Sequence, residues 1–315
     1  MGSAILSIIT AILGVEFIFG NMSNGFIILI NITEWVRRRK ITSVDQLLTA
    51  LAISRICQLW TIFLNKLLSV LFPPVLWSKG VYKMSSITWI SANHFSMWLA
   101  TSLSIFYFLK IANFSNSAFL YLKWRVEKAI SGTLLVSLVI LLLNIAFSNT
   151  YIDSWADECR RNRTGNCSSQ ESLYLSRRFL LSYVIFIIVP FTVLLTAFLL
   201  LIFSLWRHLR KMQLRAVGSR DASTEAHLQG LHTVFAFLLF YAIFFLSLAM
   251  QVFIFRLQAK NVITMASYIF TMTFPACHSY ILIVRTKKLR QAALSMLWSL
   301  KCSFKDKGCP FLSAT

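Results

Sequence analysis

The sequence predicts an all-α membrane protein: a bundle of seven transmembrane helices with the N-terminus outside, the C-terminus in the cytoplasm and a short amphipathic helix after the last span. Three observations carry this prediction. The 315 residues are 57% hydrophobic and 13% charged, whereas soluble domains average about 45–50% apolar and about 25% charged residues. Seven apolar segments are long enough to cross a bilayer, and basic residues gather on one side of them. Residues 1–315 are therefore predicted to form one domain.

The seven spans follow from the lengths of the apolar segments. A helix needs about 20 predominantly apolar residues to cross the hydrocarbon core. Segments of this kind occupy, in chain order, residues 5–30, 47–72, 87–111, 128–148, 179–206, 230–256 and 262–284. They are longer than the strands of a membrane β-barrel and lack the alternation of such strands, so we expect helices.

The distribution of lysine and arginine sets the predicted orientation. With the N-terminus outside, the cytoplasmic segments hold 20 basic residues and the outer segments nine, as the positive-inside rule requires. The same distribution explains the net charge of +20 without nucleic acid as a partner. Anionic membrane lipid is the expected partner of these charges.

The long outer loop, about residues 150–178, supports this orientation. Two glycosylation sequons begin at Asn162 and Asn166, and glycosylation needs a lumenal, exposed loop. The sequence does not select between them. Cys159 and Cys167 lie in the same loop, and a local disulfide between them is one possibility.

Polar residues within the predicted spans indicate a buried contact among spans one, two and seven. An arginine at the centre of a span costs about 2.5–3.5 kcal/mol, so Arg55 is expected to face the bundle and find acceptors. At 1.5 Å per residue, Asn24 and Arg55 lie about 9 Å and about 12 Å from the inner ends of their spans. His278 and Ser279 lie at similar depth in span seven. We predict a polar knot that holds the helices together, with a part in activation as a second, compatible role.

Two further charges lie in the outer halves of spans one and two. Glu16 and Lys66 are placed to pair with each other, or the lysine can extend its ammonium to the membrane surface. The sequence leaves both alternatives open.

Spans three and six carry the residue types expected of an amphipathic pocket. Trp89 and Asn93 are one helical turn apart and share a face, with His94 adjacent. Tyr241 and Phe245 are likewise one turn apart in span six, which is aromatic almost throughout. Pockets for small molecules are lined by aromatic side chains with a few polar groups. The alternatives are an interface-belt aromatic at Trp89, an interhelical hydrogen bond at Asn93 and lipid contact in span six.

Enzymatic chemistry has little support in the sequence. The spans hold no pair of carboxylates on one face, and no group of histidines has the spacing of a metal site. We therefore expect no catalytic residue, no metal and no cofactor.

The chain resembles the type 2 bitter taste receptors, a family of G-protein-coupled receptors, over nearly its whole length. The stretches that carry the resemblance are VEFIFGNMSNGFIILIN, WVRRRKITSVDQLLTALAISRICQLW, FYFLKIANFSNSAFLYLKWRV, PFTVLLTAFLLLIFSLWRHLRKMQ, LLFYAIFFLS and PACHSYILIVRTKKLRQAALSMLW. The resemblance implies a multi-pass receptor of the plasma membrane that detects bitter small organic compounds and activates a gustducin-type G protein. Vomeronasal type 1 receptors match less well, and a small-molecule transporter is the alternative from another class.

The resemblance also assigns roles by matched position. Ligand positions of the family fall on Trp89, Asn93, His94, Tyr241 and Tyr268, beside Phe245 from the pattern above. Its polar span-one and span-two positions fall on Asn24 and Arg55, and its inner span-five motif includes Ser204 and His208. The chain departs from the family after HSYILI, where Val284 and Arg285 replace a common Gly-Asn.

The cytoplasmic side of such a receptor meets the G protein. The basic and aromatic residues that we expect to face the partner or lipid headgroups are Lys110, Phe114, Tyr121, Lys123, Arg125, Arg210 and Lys211. In the tail, Leu289, Ala293, Leu297 and Leu300 share one side, which is typical of a helix lying on the membrane. Cys302 or Cys309 is a candidate for palmitoylation.

Overall fold

The computed structural model describes residues 2–72, 75, 78–112, 114–161, 186–207, 210, 235, 238–248, 250 and 261–304. Within this part of the chain all elements are helices, which confirms the predicted all-α fold class. They are α1 Gly2–Arg38, α2 Ser43–Leu71, α3 Lys79–Ile111, α4 Ser117–Trp124, α5 Val126–Arg161, α6 Phe186–Arg207, α7 Leu238–Leu248, α8 Asn261–Arg285 and α9 Lys287–Phe304. The seven predicted spans correspond to α1, α2, α3, α5, α6, α7 and α8.

Several predicted residues lie outside the described part of the chain. They are His208, Lys211, Asn162, Asn166, Cys167 and Cys309. The predictions made for them stay predictions.

Five of the described helices are long and apolar enough to cross a membrane. The qualifying segments are Ser7–Arg38, Ser43–Leu71, Val126–Ser154, Phe186–Arg207 and Ser267–Arg285, with a shorter apolar helix at Leu238–Leu248. Helix α3 is not among them, although it has 33 residues. Its serine, threonine, asparagine and histidine side chains lower its hydropathy, and many of them are buried against other helices. The helix at the centre of the bundle therefore carries the weakest hydropathy signal.

Local capping sets the inner ends of the helices. Helix α1 ends where Arg39 adopts a φ of 53°, the left-handed conformation that terminates many helices. The hydroxyl of Thr42 accepts from the Asp45 backbone N–H at 3.2 Å and caps α2. Asn116 caps α4 in the same way through the Ala118 N–H at 2.8 Å.

Helix α5 is much longer than the predicted span 128–148. It continues to Arg161, so the start of the predicted outer loop is helical. Asp153 on this extension forms ion pairs with Lys79 at 3.1 Å and with Lys83 at 3.2 Å on α3. The extension is polar, so a hydropathy argument does not detect it.

Helix α1 packs mainly against α8 and α2, and α3 packs against α2 and α5. Gly20 marks the closest approach of α1. A Cβ at this position would lie 2.7 Å from Leu59 Cδ1 on α2 and 3.2 Å from Ala276 Cβ on α8. Since Cβ atoms do not approach other carbons this closely, a larger residue at this position would have to displace Leu59 or Ala276. The close approach brings the neighbouring Asn24 to α8.

A set of ionic and polar contacts joins the inner ends of the helices. Lys288, at the start of α9, bridges Glu34 of α1 at 2.5 Å and Asp45 of α2 at 3.0 Å. Partial burial lowers the pKa of Lys288, but its hydrogen bonds to the two carboxylates outweigh this effect and raise the pKa above its ordinary value. Ser43 donates to Glu127 of α5 at 2.6 Å. The tail helix is thereby fixed to the bundle.

Helix α9 is amphipathic in its contacts. Leu289 is fully buried and Ala293 packs on the core, so its first turns dock on the bundle. Leu294, Leu297 and Trp298 are exposed beyond this point. The predicted shared face therefore divides into a docked beginning and an exposed end.

Candidate functional site

The structure brings together Asn24, Arg55 and Ser279 at the interface of α1, α2 and α8. The Ser279 hydroxyl donates to Asn24 Oδ1 at 2.7 Å, and Arg55 Nη1 donates to the Ser279 oxygen at 2.9 Å. Asn24 Nδ2 donates to the Gly20 carbonyl at 2.7 Å and reaches the Pro275 carbonyl at 3.4 Å. All three side chains are fully buried. We call Asn24, Arg55 and Ser279 the polar knot.

The guanidinium of Arg55 is held by a ring as well as by a hydroxyl. Its central carbon lies 5.3 Å from the centre of the Phe274 ring, and His278 stacks on the same ring with centroids 5.4 Å apart. Attraction between a guanidinium and an aromatic face grows when both are removed from water. Among the described residues, Nε and Nη2 of Arg55 have no hydrogen-bond partner. The contacts that hold this charge are therefore the Ser279 hydroxyl and the Phe274 ring.

A cleft between α3, α5 and α6 has a volume of about 10 Å³, which is room for about one water molecule. This is below the roughly 300–1,000 Å³ of pockets for drug-sized ligands. The lining residues are Ile90, Asn93, His94, Met97, Trp98, Asn144, Phe186, Ile187 and Pro190. The structure thus places Asn93 and His94, two of the predicted ligand residues, at a common cavity, and it adds Trp98 and Asn144.

Asn93 also makes the interhelical bond that was the alternative prediction. Its Oδ1 accepts from Gln58 Nε2 of α2 at 3.1 Å, and its amide donates to the Met97 sulfur at 3.6 Å. A bond of this kind positions an amide that lines a cleft. The two interpretations of Asn93 are therefore compatible.

Trp89 and Tyr268 lie on the other side of α3 from the cleft. Both pack on a small apolar cluster of Leu59, Ile62 and Met272, between α2 and α8. The cleft between α3, α5 and α6 does not include them. The residues assigned to one pocket by the resemblance thus occupy separate places in this arrangement.

Tyr241 and Phe245 form a third group, on α7. Both stack on Phe191 of α6, with ring centroids 5.6 and 4.3 Å apart. Tyr241 is fully buried and contacts the Phe274 ring edge-on at 5.1 Å. Because the Arg55 guanidinium also lies over the Phe274 ring, this one ring connects the aromatic group to the polar knot. Ser204 is buried on α6 among the core residues.

The inner loop between α3 and α5 divides into a packed and an exposed part. Phe114 packs on Phe108 and Phe119, at 6.2 and 5.2 Å between ring centroids. Lys123 donates to the Ala112 carbonyl at 2.8 Å and so closes the end of α3. These residues shape the loop from within, and they are not its outermost groups.

The exposed part of this face is basic and aromatic. The guanidinium of Arg125 lies 5.0 Å from the Tyr121 ring and donates to its hydroxyl at 3.2 Å, while Tyr121 itself is 59% exposed. Lys110 lies over Phe106 at 5.8 Å, and Arg210 lies over Trp206 at 5.7 Å. Each cation rests on an aromatic face beside it.

Two contacts differ from the sequence expectations or were missed by them. Glu16 accepts from Thr273 of α8 at 2.7 Å, so of the two alternatives for Glu16 and Lys66 the ion pair is not the one formed. The Lys288 bridge was missed, because it depends on the direction in which the chain turns at Thr286. The sequence feature that could have predicted the Lys288 bridge is an acidic residue at the end of each neighbouring helix, Glu34 and Asp45.

Comparison with known proteins gives consistent results. The sequence model of the taste receptor protein family (TAS2R) matches residues 1–301. Taste receptor type 2 member 125 of Rattus norvegicus is 52% identical over 306 residues, which are 97% of this chain and 98% of that protein. Taste receptor type 2 member 14 is 50% identical in Gorilla gorilla gorilla and 49% identical in Homo sapiens, each over 97% of this chain and 96% of that protein.

Proposed function

The chain belongs to the taste receptor type 2 family, and we propose from this premise that it detects bitter small organic compounds and activates a gustducin-type G protein. The family is one of bitter-taste G-protein-coupled receptors and not of enzymes, so ligand binding and a G-protein partner follow in general terms. The agonists, the gustducin-type partner and the plasma membrane as location are the proposed part. The family match over residues 1–301 is the observation that carries the proposal.

We place the ligand at the outer halves of the helices and the G protein at their inner ends. The proposed ligand contacts are Asn93 and His94 at the cleft, Tyr241 and Phe245 on α7, Trp89 on α3 and Tyr268 on α8. The proposed contact face for the G protein consists of Lys110, Tyr121, Arg125, Arg210 and Lys211. Phe114 and Lys123 support this face from within. The sugar is proposed on Asn162 or Asn166.

The polar knot supports a route between the two sides. It joins α1, α2 and α8, and α8 leads directly into α9, whose Lys288 contacts Glu34 and Asp45. A ligand shifts an equilibrium between two arrangements only by the difference in its affinity for them. We propose that ligand contacts on α3 and α7 favour an arrangement in which Phe274 and Arg55 are repositioned. His278, Ser204 and His208 are the further residues proposed to take part in activation.

Nucleotide exchange on an added G protein tests the proposed function. The full chain in lipid nanodiscs, with a gustducin-type heterotrimer and a panel of bitter compounds, is expected to accelerate exchange for at least one compound. A transporter predicts accumulation of the compound inside sealed vesicles and no exchange. That result would overturn the proposal.

Trp89→Ala tests the ligand contacts beside α8. We expect the agonist concentration for half-maximal exchange to rise at least about tenfold, since truncating a buried aromatic contact costs about 2 kcal/mol or more. Trp60→Ala is the matched control, because Trp60 is 45% exposed and contacts Phe17 and Phe63 edge-on at the outside of α2. Unchanged potency and surface expression in Trp89→Ala would remove this residue from the ligand site.

A further inference from the structure

The inner end of α1 carries the longest run of consecutive basic residues in the sequence. Residues 37–40 read Arg-Arg-Arg-Lys and follow directly on the apolar segment of α1, which ends at Arg38. All four side chains are exposed. Charges of one sign repel one another and destabilise the folded chain unless opposite charge neutralises them. The run therefore requires an anionic partner.

The acidic residues beside this run are already engaged. Glu34 Oε1 accepts from Arg38 at 3.2 Å, and Glu34 Oε2 accepts from Lys288 of α9 at 2.5 Å. Asp45 also contacts Lys288, at 3.0 Å. Within the described part of the chain, the other three members of the run form no ion pair. Their charge is therefore available to a group from outside the chain.

Glu34 also brings a second basic segment beside the first. Because Arg38 and Lys288 share the Glu34 carboxylate, the end of α1 and the start of α9 lie side by side. Exposed basic residues flank Lys288 within three positions on either side. Two segments that are distant in sequence thus meet on the cytoplasmic surface. We call the group they form the basic corner: Arg37, Arg38, Arg39, Lys40, Arg285, Lys287 and Arg290.

The surface next to the basic corner favours a lipid over a soluble anion. Trp35 and Val36, which directly precede the run, are 50% and 59% exposed, and Ile32 one turn earlier is 47% exposed. Tryptophan is enriched where a membrane helix passes the lipid headgroups. A headgroup at residues 37–40 would therefore have its acyl chains beside an apolar helix surface. Clusters of four to eight basic residues directly cytoplasmic of a membrane helix are typical of sites for anionic lipids.

From this geometry we infer that the basic corner is a binding site for a phosphoinositide, a lipid of the inner leaflet with several phosphates on its headgroup. A lipid with one net charge neutralises one of these cations, whereas a bisphosphate headgroup reaches several at once. Arginine also binds phosphate oxygens in pairs. Because the basic corner draws on both α1 and α9, the bound lipid stabilises the docked tail helix. The inference goes beyond the proposed function, since it depends on neither the bitter ligand nor the G protein.

Titration of the purified full chain in detergent with acyl-labelled lipids tests the inference. The probes are phosphatidylinositol 4,5-bisphosphate and phosphatidylserine, and fluorescence anisotropy gives their affinities. We expect the bisphosphate lipid to bind at least about fivefold more tightly, as one further basic contact would give, and its affinity to fall as salt is added. Equal affinities would leave only a general attraction to negative charge and overturn the inference. Full displacement by an equal concentration of soluble inositol trisphosphate would contradict a lipid as the ligand.

A double variant locates the site on the run. Arg37→Gln with Lys40→Gln removes two exposed charges and keeps both the Arg38–Glu34 ion pair and the turn at Arg39. We expect the affinity for the bisphosphate lipid to fall about twentyfold, because each basic residue near an anionic lipid contributes about fivefold. If this variant fails to fold, Lys287→Gln alone decides, with an expected loss of about fivefold.

A charge-matched double variant is the control. Lys128→Gln with Lys301→Gln also removes two exposed cytoplasmic charges, but both lie outside the basic corner, so the affinity for the bisphosphate lipid should stay nearly unchanged. Equal weakening in the two double variants would contradict a local site. Unchanged lipid affinity in the first double variant, with slower nucleotide exchange on the G protein, would assign the run to the protein partner and overturn the inference.

Discussion

The polar knot and the cleft use buried polar groups in opposite ways. In the knot, Asn24, Ser279 and Arg55 bond to one another across three helices. At the cleft, His94 Nε2 and Trp98 Nε1 have no hydrogen-bond partner among the described residues. Membrane helices gain from interhelical hydrogen bonds, so a knot stabilises the bundle, whereas unpaired groups cost stability and are useful where something else binds. The difference separates a region whose buried polar groups hold helices together from one whose polar groups do not contribute in this way.

The largest effect is expected from breaking the knot. Asn24→Ala removes the oxygen that accepts from the Ser279 hydroxyl, so Ser279, the partner of Arg55, is less well ordered. We expect the free energy of unfolding to fall by about 2 kcal/mol. Asn21→Ala is the control, because Asn21 donates only to Phe17 of its own helix at 2.8 Å. Thermal unfolding of the purified variants measures both. Equal losses in the two variants would show that the knot carries no special stability.

A smaller effect is expected where α1 approaches its neighbours. Gly20→Ala forces a methyl group against Leu59 and Ala276. Overpacking costs at least about 1 kcal/mol, and we expect a loss close to this lower limit because the nearest atom, Leu59 Cδ1, ends a flexible side chain. Gly14→Ala is the matched control: a Cβ there meets nothing within 4 Å, and alanine favours the helix by about 1 kcal/mol. The two substitutions should shift the unfolding temperature in opposite directions. A shift in the same direction for both would contradict the close approach.

A still smaller, pH-dependent effect is expected at the inner end. Lys288→Met should lose about 0.5–1 kcal/mol, since the pair is partly exposed, and Lys287→Met on the exposed neighbour should lose less. Because the pKa of Lys288 is raised in the folded state, its contribution is complete below the unfolded lysine pKa of about 10.4. It is lost as the pH rises through the folded pKa. The difference between wild type and Lys288→Met should therefore narrow above about pH 10.4, and a difference that persists there would exclude the ion pair as its cause.

The smallest change in stability is expected at the cleft. Trp98→Phe removes a donor that has no partner within the described residues, and the relief offsets the lost ring volume, so the net change should stay within about 1 kcal/mol. Thermal unfolding without ligand checks this. A loss as large as that of Asn24→Ala would mean that the cleft is part of the structural framework, and the contrast between the two regions would disappear.

The fold and the partners in the knot were accessible from the sequence for a physical reason. Hydropathy and helix rise place Asn24, Arg55 and Ser279 at similar depth, and buried polar groups in lipid must meet. Depth does not fix rotation about the helix axis. The sequence therefore did not separate Trp89 from Asn93, although they face different neighbours, and it did not find the Gln58 bond. The contact of Glu16 with Thr273 depends on how α1 is turned against α8, which the sequence does not fix.

Features at the ends of the helices were the least predictable. The extension of α5 beyond residue 148 is polar, and its helical state depends on contacts such as Asp153 with Lys79 and Lys83. Lys288 reaches two acids that are distant in sequence. Such contacts between distant residues leave no periodic signal in the chain.

Orientation in the membrane is the claim on which ligand entry and G-protein contact both depend. Epitope tags at the two termini, stained in intact and in permeabilised cells, test it most directly. We predict that the N-terminal tag is stained in intact cells and the C-terminal tag only after permeabilisation. Staining of the C-terminal tag in intact cells would place the basic face of Tyr121 and Arg125 outside and contradict the account.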